Sequence, residues 1–250
     1  MRQTYLILGA TSGIAKAIAR ALARHGHDLI LAGRSAEEVA LSAADLEARF
    51  QIRARPLEFD ATRADHVLGV LAAARECNDG DLPEGVVLAY GVMFPQSESE
   101  ANLECLAQTI EVNFGSAARV LQAFGSAFAQ RGSGVIVGIS SVAGDRGRGS
   151  NYHYGASKAA LTVFLDGMRH RLRASGVHVC TVLPGFVATP MTYGIVDPAS
   201  PLCAQPEQVA RDVLKAIDRK RGRVYTIWWW RWIMTVIRHL PEAVFLRTNL

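Results

Sequence analysis

Tyr154 and Lys158 stand four residues apart in the run Tyr154-Gly-Ala-Ser-Lys158. Apolar residues recur at helical spacing from Tyr152 to about Arg173. The pair therefore falls on one helix face, one turn apart. A phenol with an ordinary pKa of about 10 is a poor acid or base at neutral pH. A cation beside it favours the phenolate and lowers that value, which makes tyrosine usable for general acid–base work. The same spacing arises by chance on solvated helix faces. It carries chemistry only in a chain that brings a redox cofactor to the same place.

The N-terminus supplies that second feature. Thr4 to Leu8 is a short apolar run of strand type. Gly9-Ala-Thr-Ser-Gly13-Ile-Ala15 follows at once and opens an alanine-rich helical stretch. Strand, glycine-rich turn and helix form the context in which such glycines bind a dinucleotide. They let the backbone approach a pyrophosphate, and the helix N-terminus offers free N–H groups. At the end of the second strand run, Leu29-Ile-Leu-Ala-Gly33-Arg34, no acidic residue stands ready for a ribose 2′-hydroxyl. Arg34 stands there, with Ser35 as a further donor. A guanidinium forks onto phosphate, which favours NADP(H) over NAD(H).

These segments together resemble the short-chain dehydrogenase/reductase family, from Thr4 to about Tyr225. Further motifs match in order: Asp60 after the third apolar run, Asn113 in Val112-Asn-Phe-Gly115, and Ser141 thirteen residues before Tyr154. Pro184-Gly185, with Val187 and Thr189, resembles the loop that closes over a nicotinamide. The resemblance implies cofactor contacts from Gly9, Thr11, Ser12, Gly13, Ile14, Arg34, Ser35, Asp60, Ala89, Gly91, Pro184, Gly185, Val187 and Thr189, joined by Tyr154 and Lys158. It implies a catalytic set of Asn113, Ser141, Tyr154 and Lys158. In that set Tyr154 is the proton donor, Ser141 holds the substrate oxygen, Lys158 lowers the Tyr154 pKa, and Asn113 supports a water chain. The implied activity is NADPH-dependent reduction of a ketone or aldehyde. Ser140 is the neighbouring candidate, but successive strand residues point to opposite sides, so one serine alone faces the cleft. Two departures stand out. Ala15 replaces the third glycine, and Ala89-Tyr90-Gly91 replaces an Asn-Ala-Gly whose asparagine steadies the central strand.

The positioning elements follow from periodicity. Strands are expected at Thr4–Leu8, Asp28–Ala32, Ile52–Phe59, Gly85–Ala89, Gly134–Ser140, Val177–Leu183 and Arg223–Thr226. Helices are expected at Gly13–His25, Ala36–Phe50, Arg63–Cys77, Leu103–Arg131, Tyr152–Ala174 and Pro206–Lys220. Alternation of this kind gives an α/β Rossmann-type fold, a doubly wound parallel sheet of about seven strands. Residues 1–226 make the catalytic domain and residues 227–250 a C-terminal tail.

Composition agrees with one globular domain: 250 residues, 50% hydrophobic and 20% charged. Four scattered cysteines lack ligand spacing, so neither disulfides nor a metal site is expected. A net charge of +4 attracts anionic ligands without implying nucleic acid. Met1 leads almost directly into the first strand, so a cytoplasmic chain without a leader is expected.

The tail carries all four tryptophans, in Ile227-Trp-Trp-Trp-Arg-Trp-Ile-Met-Thr-Val-Ile237, among arginines. This run is too short for a membrane span, which needs about 20 residues. It fits a helix packed on the domain or a partner subunit, which is the preferred reading. It also fits an amphipathic segment in peripheral contact with the inner membrane surface. Val92–Asn102 and Ala188–Gln205 are expected to shape a pocket for a small carbonyl or alcohol substrate, lipidic or lipid-linked in character. A homodimer or homotetramer through Leu103–Arg131 and Tyr152–Ala174 follows from the resemblance. A dinucleotide-binding regulatory protein without turnover and a membrane-surface protein acting through the tail are the competing readings.

Overall fold

A computed structural model describes residues 2–248; Met1, and Asn249 and Leu250 at the end of the expected tail, lie outside the described residues. The strands are β1 (Thr4–Leu8), β2 (Asp28–Gly33), β3 (Ala54–Glu58), β4 (Gly85–Leu88), β5 (Gly134–Ile139), β6 (Val177–Pro184), the short β7 (Phe186–Val187) and β8 (Cys203–Ala204), and β9 (Arg223–Thr226). Seven of them form one sheet in the order β3-β2-β1-β4-β5-β6-β9, every pair parallel.

Both faces of this sheet are covered, which is what nearly continuous apolar strands require. In β1, Tyr5 and Ile7 enter one core and Leu6 and Leu8 the other. Helices α1 (Gly13–Arg24) and α2 (Ala36–Phe50) cover the first face, together with α8 (Pro206–Asp218). The second face is covered by α3 (Ala64–Glu76), α6 (Ala117–Arg131) and α7 (Tyr152–Leu172). Local signals set the ends. Ser12 caps α1 by accepting the Ala15 N–H, and Ser35 caps α2 by accepting that of Glu38. Gly132 ends α6 in the left-handed region. The strand order reverses between β1 and β4, so the crevice outside their carboxyl ends is where a dinucleotide belongs.

Several boundaries differ from expectation. The third strand is shorter at both ends, and Pro56 lies within it. That proline is tolerated because β3 is an edge strand. The expected helix Leu103–Arg131 is not continuous: α5 (Leu103–Ile110) leads into a π-helical turn, Glu111–Ser116, before α6 begins. A further helix, α4 (Gln96–Ala101), forms in the region expected to shape the pocket. Small residues of the helices Leu103–Arg131 and Tyr152–Ala174 turn partly inward. Ser116 and Ala117 are buried, and a Cβ on Gly155 would lie 2.9 Å from the Ala143 carbonyl oxygen.

The tail forms α9 (Trp230–His239) and α10 (Glu242–Phe245). Trp230, Met234 and Ile237 bury against Leu183 and Val142, so this helix packs on the domain. Each such side chain contributes about 1.5–3 kcal/mol of burial. The outer face stays open: Trp228, Trp232 and Val236 are 68%, 59% and 62% exposed. No helix among the described residues is long and apolar enough to cross a membrane.

Candidate active site

The glycine-rich turn is a cradle that side chains would fill. Gly9 has φ +81°, and a Cβ there would stand 2.8 Å from Tyr90 backbone and side-chain atoms. Only glycine meets both demands at no cost. A Cβ on Gly13 would sit 3.3 Å from Thr189, so the turn and the Pro184–Thr189 loop face one another closely. The Ser12 hydroxyl donates to the Ala89 carbonyl at 3.3 Å, tying α1 to the end of β4. Both sequence departures are accommodated. The Ala15 methyl is fully buried in the core. Tyr90 stacks its ring near Phe59 and shares a hydrogen bond with Ser116, 3.1 Å away.

Arg34 and Ser35 lie exposed just past β2. The Ser35 oxygen is occupied by the cap, which leaves its hydroxyl proton to donate. Asp60 lies nearby. Burial pushes its carboxyl up, but two hydrogen bonds from Thr62, with Arg34 and His66 close, bring it below the usual range. Glycine cradle and free helix N-terminus together suit a nicotinamide dinucleotide, with Arg34 exposed beside them. Thr11 follows β1, Ile14 lies in the first turn of α1, Gly185 follows β6 and Val187 ends β7.

At the end of β5 the two serines part. Ser140 turns inward, donating to the Lys158 carbonyl at 2.9 Å and pairing with Thr162 at 2.7 Å. Ser141 points the other way, and its hydroxyl is near enough to the Tyr154 phenol to favour the phenolate. The serine oxygen also accepts the Ala143 N–H at 3.1 Å. Lys158 is buried, donates to the Ile139 carbonyl at 3.1 Å, and holds its Nζ 5.7 Å from the Tyr154 ring centroid. Gly91 completes the corner: a Cβ there would come 3.3 Å from Lys158 Nζ and 2.9 Å from Asn113 Oδ1.

The surroundings of Tyr154, Lys158 and Asn113 set their properties. Burial pushes the Tyr154 phenol up to about 12, the Ser141 hydroxyl working against it. Burial also brings the Lys158 ammonium down to about 8. Desolvation is thus the leading influence on both groups, and a charged Lys158 beside the ring still favours the phenolate form. Asn113, inside the π-helical turn, spends both amide donors, on the Val92 carbonyl at 2.9 Å and Ser157 Oγ at 3.0 Å. Its Oδ1 accepts the Val92 N–H at 2.8 Å. The side chain thereby clamps the segment just past β4 beside Gly91. Such turns often mark functional sites.

The tail also meets this site. Trp230 lies so close to Gly185 that a Cβ would fall 2.1 Å from its Nε1. Its indole N–H donates to the Leu202 carbonyl at 3.2 Å. From the opposite side Arg146, five residues past Ser141, donates to the Ile237 carbonyl and to that of Leu240 at 2.8 Å. Its guanidinium lies 3.8 Å from the Phe245 ring centroid. The tail thus bridges the two loops flanking the cleft. The tryptophan cluster pointed to the tail, but nothing about Arg146 in sequence pointed to its partners.

Fold and site define a dinucleotide-binding oxidoreductase. The short chain dehydrogenase family profile matches residues 3–199. An uncharacterised oxidoreductase of Mycobacterium tuberculosis is 34% identical over 243 residues, covering 97% of this chain and 95% of that one. Another, from Streptomyces coelicolor, is 31% identical over 251 residues, covering 98% and 95%. The chain belongs to the short-chain dehydrogenase/reductase family. Among solved structures, a short-chain dehydrogenase from Sphingobium yanoikuyae in complex with NADPH is 26% identical with TM-score 0.79, covering 96% of this chain and 97% of that one. An actinorhodin polyketide ketoreductase variant with NADPH is 25% identical with TM-score 0.80, covering 90% and 95%. A 7β-hydroxysteroid dehydrogenase, 20% identical with TM-score 0.85 and covering 99% and 96%, shares the fold.

Proposed function

We propose that the protein reduces a ketone or aldehyde to the alcohol with NADPH. The observation that carries this is the convergence of Ser141, Tyr154 and Lys158 beside the glycine cradle. When bound, the nicotinamide supplies the hydride. Tyr154, protonated at neutral pH, gives its proton to the carbonyl oxygen, which the Ser141 hydroxyl holds in place. Lys158 sets positive charge against the phenolate left behind. Asn113 acts as a positioning residue through Val92 and Gly91. Arg34 favours NADPH, and the NADPH complexes of the two solved relatives support the same preference.

The exposed loop residues Met191, Tyr193 and Ile195 support an apolar or lipid-linked substrate. Exposed Leu103 and Val163 support pairing of copies through α5, α6 and α7. The outer face of α9, with Trp232 and Val236, and Trp228 in the turn before it support contact of the tail with a membrane surface.

Titration of the wild type and Tyr154→Phe with NADPH and NADH, followed by energy transfer from tryptophan, tests the main reading together with ketone reduction. NADPH binds more tightly than NADH, and Tyr154→Phe keeps NADPH binding while losing about 10²–10⁴-fold in turnover. An active Tyr154→Phe, or equal binding of both cofactors, contradicts the corresponding half.

A further inference from the structure

The loop joining Ser141 to Tyr154 holds two arginines in contrasting states. Arg146 is fully employed in gripping the tail. Arg148 is not. Among the described residues its guanidinium has no hydrogen-bond or ion-pair partner, and its Nε is sealed from solvent as well. A second orphan lies three residues on, where Asn151 Oδ1 is buried without a donor. The loop is open around them: a Cβ on Gly147 or Gly149, either side of Arg148, would meet nothing within 4 Å.

Charge balance points the same way. Asp145 is the carboxylate that acts on Arg148, and it accepts the Tyr225 hydroxyl proton at 3.0 Å. Its charge is shared among Arg148, Arg223 and Arg238. Burial holds the Arg148 guanidinium below its usual value. A half-buried cation with a sealed, unpartnered Nε costs free energy that an anion would relieve. The guanidinium fork matches the oxygens of a carboxylate or phosphate.

We propose that Arg148 receives an anionic oxygen group of the substrate, a carboxylate or a phosphate, with Asn151 Oδ1 accepting a proton from an adjoining hydroxyl. The assignment rests on the reading of Ser141 and Tyr154 as the seat of carbonyl reduction, since the loop connects those two residues. It makes the substrate a charged carbonyl compound.

The test compares matched ketones in the wild type, Arg148→Gln and Arg148→Lys. Levulinate is set against methyl levulinate, and dihydroxyacetone phosphate against dihydroxyacetone. The wild type favours the charged member of one pair through KM, and that pair identifies carboxylate or phosphate. Arg148→Gln lowers the charged-to-neutral ratio of kcat/KM about tenfold or more, and Arg148→Lys recovers part of it. A merely structural arginine would lower both members together, which overturns the proposal. So does an equal loss of NADPH affinity in Arg148→Gln, which would assign the arginine to the cofactor. Thermal shifts with benzoate and with inorganic phosphate are read on the same proteins. If no ketone turns over but an anion stabilises the wild type and not Arg148→Gln, the anion site stands and the reductase reading falls. Absence of any Arg148-dependent shift or preference sinks the anion site itself. Should Arg148→Gln not fold, Arg148→Lys alone reports, because it keeps the charge and loses the fork.

Discussion

The Tyr154 phenol lies at about 12 and the Lys158 ammonium at about 8, with burial the larger cause in both. A phenol so placed stays protonated at neutral pH. It is a proton donor for reduction, and a weak base for the reverse oxidation. Lys158 is the group that titrates first. Below about 8 it is charged and favours the phenolate that proton donation leaves; above that value its charge is gone. We therefore expect kcat/KM for carbonyl reduction to fall as pH rises through about 8, before the phenol itself ionises. A pH profile on the free enzyme checks this. A plateau that persists well beyond that pH would show that the lysine charge is not what the reaction uses.

Among the elements, the π-helical turn and the tail share one property: distant partners shape them. Asn113, inside the π-helical turn, bonds Val92, 21 residues away in sequence. Arg146 holds carbonyls at the end of α9 across 91 residues. Arg146→Ala should free the tail, with a loss of about 1.5–3 kcal/mol if the guanidinium bonds behave as charged hydrogen bonds do. Amide exchange should then quicken in residues 230–245 and also in residues 141–151. Faster exchange confined to the tail would show that Arg146 holds α9 without ordering the serine loop. The same distinction explains what was legible in the sequence. Tyr154, Lys158, Gly9 and Gly13 announce themselves through short spacings that local geometry enforces. The inward turn of Ser140 followed from strand alternation. By contrast, the broken helix at Asn113 keeps helical periodicity through Val112-Asn-Phe-Gly115, so periodicity cannot reveal it. The fall of Lys158 and rise of Tyr154 depend on burial, which spacing does not report.

At the scale of the whole molecule the tail presents two faces with different duties. Its inner face, Trp230, Met234 and Ile237, is spent on the domain. Its outer face repeats Trp228, Trp232 and Val236 at one-turn intervals, all exposed. Large apolar side chains left in water in this arrangement call for an apolar partner. Arg231, Arg238 and Arg247 accompany them, against Glu242 as the one acidic residue from Ile227 to Thr248. Tryptophan with arginine suits the interface of an anionic bilayer, where each basic residue near the surface adds about 1 kcal/mol. Sedimentation with vesicles of phosphatidylcholine alone and with added phosphatidylglycerol tests the full-length chain against Trp228→Ser/Trp232→Ser. These two positions are exposed, so the packed inner face and the fold should survive the change. Binding should require the anionic lipid, weaken as salt rises, and fall in the double variant. Equal sedimentation of both proteins would assign the outer face to another copy of the chain, and concentration-dependent mass measurements on the same two proteins would then show the dimer contact that the substitutions break.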